Sequence, residues 1–108
     1  MMLHAHRRDS SFHRSGYVLL SDEEYRQLQL ALATRPEQGA LIHGSGGLRK
    51  LRWGARGHGK RGGVRVIYYW HRGEQFLYML LVYAKARQHE LTPTQARVLR
   101  RLVMEEFG

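Results

Sequence analysis

The sequence predicts an α+β domain: a small antiparallel sheet flanked by N-terminal helices and a C-terminal helix. Three observations carry this. A helix-capping pattern stands at residues 21–24, and a second stands at residues 92–95. Between them lie three stretches with strand periodicity or a density of β-formers. The chain has 108 residues and 43% hydrophobic content, so it is read as one domain over 1–108, with residues 1–16 poorly patterned.

Residues 1–8 suit either a short first strand or a loose arm. In residues 9–20, Phe12, Tyr17, Leu19 and Leu20 could line a helix, but Gly16 and the serines weaken it. Ser21-Asp22-Glu23-Glu24 is a clear helix start. Ser21 caps, Glu24 completes a capping box, and the acids complement the helix dipole. Tyr25, Leu28, Ala31 and Leu32 then share one face, and Pro36 stops the helix near Thr34 or Arg35. Gly44-Ser45-Gly46-Gly47 is a loop. From Leu48 to Trp53 the chain alternates, with Arg49, Leu51 and Trp53 on one face and Leu48, Lys50 and Arg52 on the other. Residues 54–63 hold five glycines with Arg56, His58, Lys60 and Arg61, the composition of a flexible cationic loop. Residues 64–71 are rich in β-formers. Gly73 and Glu74 make a turn, and the apolar run 75–83 returns as a central strand covered on both faces, completing a hairpin. Thr92, Pro93 and Gln95 open the last helix, whose stripe is Ala96, Leu99, Leu102, Val103 and Phe107.

Charge is distributed unevenly. Eighteen Lys and Arg oppose nine Asp and Glu, a formal net charge of +9. No acid occurs in residues 38–73, which contain Arg49, Lys50, Arg52, Arg56, Lys60, Arg61, Arg65 and Arg72. A single sign of charge concentrated in a third of the chain points to a polyanion site rather than an incidental basic face, with the stretch 49–65 as its centre. Cysteine is absent, which excludes disulfides, thiolate zinc sites and cysteine nucleophiles. No apolar run reaches the roughly 18 residues of a membrane span. The first residues lack the apolar core of a signal peptide. The expectation is a cytoplasmic, bacterial-type protein with no membrane association.

Several motifs resemble known sites but fail on context. Gly54-x4-Gly59-Lys60 approaches a P-loop, yet Arg61 stands where Ser or Thr would hold magnesium, and a strand follows rather than a helix. Gly57-x-Gly59-x-x-Gly62 matches a dinucleotide fingerprint without the surrounding βαβ unit. The seven histidines, at 4, 6, 13, 43, 58, 71 and 89, form no i, i+4 pair on a helix and have no carboxylate cluster beside them. His58, inside the basic loop, could touch phosphate or act in proton transfer, or could simply be solvated. Aromatic side chains beside a basic loop can stack on bases. Tyr68, Trp70 and Tyr78 read better as core, whereas Tyr83, at a strand end, is more open to function.

Taken in order, four blocks form a specific series: Gly46-Gly47-Leu48-Arg49-Lys50-Leu51-Arg52; Gly59-Lys60-Arg61-Gly62-Gly63-x-Arg65-Val66-Ile67-Tyr68-Tyr69; Tyr83-Ala84-Lys85; and Leu91-Thr92. With the upstream Leu20-Ser21-Asp22-Glu23-Glu24-Tyr25, the series resembles the HigB branch of the RelE-like toxins of type II toxin–antitoxin modules, over about residues 17–107. The resemblance implies a small antiparallel sheet flanked by helices. It implies an endoribonuclease that cuts messenger RNA, usually in the ribosomal A site, without a metal or other cofactor. It also implies a cognate antitoxin, typically a helix-turn-helix protein, through which alone operator DNA is bound.

The chemistry of the residues agrees with this. RNA carries its own nucleophile, the 2′-hydroxyl, so the enzyme must only deprotonate it, stabilise the crowded phosphate and protonate the leaving oxygen. A lysine among like charges gives up its proton more readily, and arginine matches phosphate oxygens. By resemblance, Lys50 and Arg52 are the basic pair on the strand after the glycines, with Lys50 the expected general base. Arg65 is the arginine on the scissile phosphate, and Lys85 assists proton transfer or phosphate binding. Lys60 and Arg61 are the loop that docks on RNA or ribosomal RNA. Arg49, Arg56, His58, Tyr83 and Arg87 complete the expected RNA- or ribosome-binding set. Arg49 reads better as facing solvent or pairing with an acid such as Glu23 or Glu24, and Arg52 could be a structural ion pair. Where family members carry a tyrosine or further arginine beyond the last strand, this chain has Ala86-Arg87-Gln88-His89, so Arg87 and His89 are the candidates for that role.

Two other functions fit the same pattern less well. Gyrase-poisoning toxins of this fold lack the basic constellation, and a passive RNA-binding module would use the patch without chemistry. Phosphate contact by any route predicts that RNA affinity falls steeply between low and physiological salt, as filter binding would record; a flat response would contradict it.

Overall fold

In the computed structural model, residues 5–8, 20–54 and 63–107 are described, residues 5–8 and Phe107 as backbone alone. The elements are β1 (Ala5–Arg8), α1 (Asp22–Thr34), β2 (Ala40–Leu41), β3 (Leu48–Trp53), β4 (Val64–His71), β5 (Phe76–Ala84) and α2 (Pro93–Phe107). They form one five-stranded sheet in the order β1-β5-β4-β3-β2. The four strands β2 to β5 pair antiparallel, as expected, whereas β1 adds in parallel to β5. Residues 5–8 therefore form a strand rather than a loose arm. The possible helix within residues 9–20 falls on residues 9–19, outside the described residues, as does the loop 55–62.

Local chemistry explains both helix starts. The Ser21 hydroxyl accepts from the Glu24 amide at 3.1 Å, and the Glu24 carboxylate accepts from the Ser21 amide at 2.8 Å. Thr92 and Gln95 repeat this exchange at 3.1 and 3.0 Å ahead of α2. Leu28 and Leu32 of α1 are fully buried, as are Leu99 and Val103 of α2 to within a few per cent.

The sheet separates these two helices. Val64, Val66, Tyr68 and Trp70 alternate along β4 into one core with Leu28, Leu32, Leu77, Met79 and Val82. Ile67 points the other way, into a second core with Leu48, Leu80, Leu99 and Val103. A bulge opposite Ile67 and Tyr68 leaves Leu80 unpaired on β5, because Ile67 faces Leu81 while Tyr68 faces Met79. The turn between β4 and β5 spans residues 72–75, one longer at each end than Gly73-Glu74, with Gln75 at φ 54°.

Tyr68 ties the sheet to the end of α1. Its hydroxyl donates to the Pro36 carbonyl at 2.7 Å and accepts from the Gly39 amide at 2.9 Å. A Cβ on residue 39 would stand 2.8 Å from the Tyr68 ring, so glycine is required for the approach. Burial raises the Tyr68 pKa, against the Gly39 hydrogen bond and the nearby Arg49 charge. Tyr68→Phe leaves two buried backbone groups unpaired. It should cost about 1–3 kcal/mol in denaturant unfolding with an unchanged m-value.

Candidate functional site

Alternation along β3 and the pairing of β3 with β4 and β5 build the site. Arg52 stands opposite Arg65, and Arg65 stands opposite Tyr83. These three form one row across three strands. Lys50 lies two residues along β3, opposite Ile67, on the same face. That is the face covered by α2, since Ile67 and Leu48 pack there with Leu99 and Val103. The structure thus brings together Lys50, Arg52, Arg65 and Tyr83. Lys85 directly follows β5, two residues past Tyr83, its amide donating to the Gly63 carbonyl at 3.2 Å and closing that end of the sheet.

The row runs from solvent into the protein. Arg52 is exposed and Lys50 half-buried, while Arg65 is 4% exposed and Tyr83 6%. The Arg65 guanidinium donates to the Val64 carbonyl at 3.3 Å. Tyr83, at its strand end, is the tyrosine that the sequence leaves more open to function than to the core. It is instead a member of the second core, because its side chain turns inward beside Arg65. Its buried hydroxyl has no hydrogen-bond partner among the described residues. Burial pushes the phenol pKa up, the Arg65 charge opposes this, and Glu90 adds to it. The group therefore stays protonated at neutral pH and can act as a donor. Removing it tests the cost of the orphaned hydroxyl: Tyr83→Phe should leave stability unchanged or raise it by about 1 kcal/mol, the opposite sign to Tyr68→Phe in the same unfolding assay.

Other expected site residues separate from this group. Arg49 lies on the opposite face, with Leu51 and Trp53. It pairs with an acid, as expected, but the acid is Glu37 rather than Glu23 or Glu24: its guanidinium donates to the Glu37 and Gly39 carbonyls at 3.0 and 2.8 Å and lies 3.8 Å from the Glu37 carboxylate. Glu37 also holds Arg72 at 2.6 Å. Arg87 and His89 are exposed in the segment after β5. Arg56, His58, Lys60 and Arg61 lie outside the described residues. Among the described residues, Arg52 enters no ion pair.

Sequence reasoning missed two neighbours of Lys50. A cleft of about 340 Å³ is lined by Lys50 together with residues 40–43 on one side and Glu90 and Leu91 on the other. It brings His43 and Glu90 beside the proposed base. The one available signal was that Glu90 is the only acid in residues 75–104. Among the described residues, no three His, Asp or Glu side chains gather as a metal site, and no helix is long and apolar enough to cross a membrane.

No family model matches the sequence. Among solved structures, the chain is similar to a doubly mutated form of the Escherichia coli toxin RelE in the free state. The TM-score is 0.59 at 15% identity, over 82% of this chain and 90% of that one. With helices on both faces of a largely antiparallel sheet, the chain has the RelE-like fold.

Proposed function

We propose that this protein is the toxin of a type II toxin–antitoxin module, of the HigB branch, and a ribosome-dependent endoribonuclease that cleaves translated messenger RNA. The observation that carries the reading is the gathering of Lys50, Arg52, Arg65 and Tyr83 on one face of a RelE-like sheet. Three cations and a protonated phenol on one face of the sheet suit a phosphodiester.

In this reading Lys50 takes the proton of the 2′-hydroxyl. The 2′-oxygen bonds to phosphorus, and the bond from phosphorus to the 5′-oxygen breaks. The products are a 2′,3′-cyclic phosphate and a 5′-hydroxyl, and no metal enters. Arg52 and Arg65 meet the charge that builds on the phosphoryl oxygens. Lys85, just past β5, assists in returning a proton to the leaving oxygen. Arg56, His58, Lys60, Arg61 and Arg87 contact RNA or the ribosome. Arg49, anchored on the far face, contributes through the fold of β3 or through a separate contact. The partners are the ribosome with its message and a cognate antitoxin, a helix-turn-helix protein that carries the pair to its operator. The working compartment is the cytoplasm.

Induction in growing cells should halt translation and produce new message 5′ ends within translated regions. Lys50→Ala should lower cleavage by about 10²- to 10⁴-fold, the range for loss of a general base, with the fold intact by circular dichroism. Arg65→Ala should lose about 10²- to 10³-fold. Halted growth with intact messages, or full growth arrest by both variants, would overturn the proposal.

A further inference from the structure

The cleft beside Lys50 has the chemistry of a base pocket, not of a second phosphate site. Its walls include the aliphatic side chains of Leu41, Ile42 and Leu91, and Leu41 is 62% exposed. Its polar groups are His43, Lys50 and the Glu90 carboxylate. A carboxylate repels phosphate, yet this one stands in an otherwise cationic region. It enters no ion pair among the described residues. Its backbone is held in place: the Gln88 side-chain amide donates to the Glu90 carbonyl at 2.9 Å and to the Gln95 side chain at 2.9 Å. Apolar walls with a few polar groups are what a small planar ligand requires.

We infer that this cleft takes the guanine base of the nucleotide on the 5′ side of the cleaved bond, with Glu90 reading its edge. The inference rests on the nuclease reading above and adds a specificity-determining residue to it. An ionised carboxylate offers two acceptor oxygens and no donor. Guanine is the one RNA base whose Watson–Crick edge presents two adjacent N–H donors. Adenine and cytosine each set a ring-nitrogen lone pair beside their single amino group, and uracil sets carbonyls beside its N–H. Single-stranded bases are read on these edges once unstacked.

Spacing supports the assignment. Lys50 lines the cleft, and Arg52 lies two residues further along β3, roughly 7 Å away, in line with Arg65. A nucleotide with its base in the cleft would bring its ribose 2′-hydroxyl to Lys50 and its 3′-phosphate to the arginine row.

Titration of the full-length protein with 3′-GMP, 3′-AMP, 3′-CMP and 3′-UMP, followed by amide NMR, tests this directly. The guanosine nucleotide should bind at least about five-fold more tightly than the others, the low end of discrimination by a bidentate contact, and should shift the amides of residues 41–43, 50 and 90–91. Glu90→Gln, a change at an exposed position, should remove the preference while retaining nucleotide binding. Equal binding of all four nucleotides, or an undiminished guanine preference in Glu90→Gln, would overturn the inference. Mapping of message ends separates it from the nuclease reading. Cuts that show no guanine on their 5′ side would refute the base pocket and leave the nuclease standing. Guanine-selective binding with intact messages would refute the nuclease and support the pocket.

Discussion

The register of β3 against β4, and of β4 against β5, is the constraint on which the rest of the structure depends. Arg52, Arg65 and Tyr83 share a row only because these strands pair as they do. The same register sends Val66 and Tyr68 to the α1 side and Ile67 to the α2 side. Side chains alternate with period two, so a slip of one residue would turn the cations toward Leu28 and Leu32 and send the α1-side apolar set to the α2 face. Folding and site assembly are thus one event. The hydrophobic burial that selects the register also gathers the positive charge.

That gathering has a cost visible in the second core. Arg65 and Tyr83 occupy positions where aliphatic side chains would pack without penalty. The two buried tyrosine hydroxyls show the contrast. Tyr68 exchanges two hydrogen bonds with the chain that follows α1 and stabilises the fold. Tyr83, beside Arg65, has no partner among the described residues for its hydroxyl.

The elements were legible where their signals are local. Ser21 with Glu24 and Thr92 with Gln95 each write a helix start within four residues, and both capping exchanges form. Alternation from Leu48 to Trp53 placed Lys50 and Arg52 together and Arg49 opposite, as the strand does. The two-residue strand β2 carries no period of its own and exists only through pairing with Arg49 and Lys50. The parallel pairing of β1 is equally invisible, because its partner lies some seventy residues away.

By itself, then, the sequence determined the spans of α1, α2 and β3 to β5, the two faces of β3 and the concentration of positive charge. Caps, periods and charge runs act over a few residues, so they can be read in place. Only the tertiary structure decided that Arg49 is held by Glu37, that Tyr83 is buried, and that His43 and Glu90 flank Lys50. Those contacts join positions distant along the chain. They follow from how two helices and a sheet close on one another, which no local pattern records.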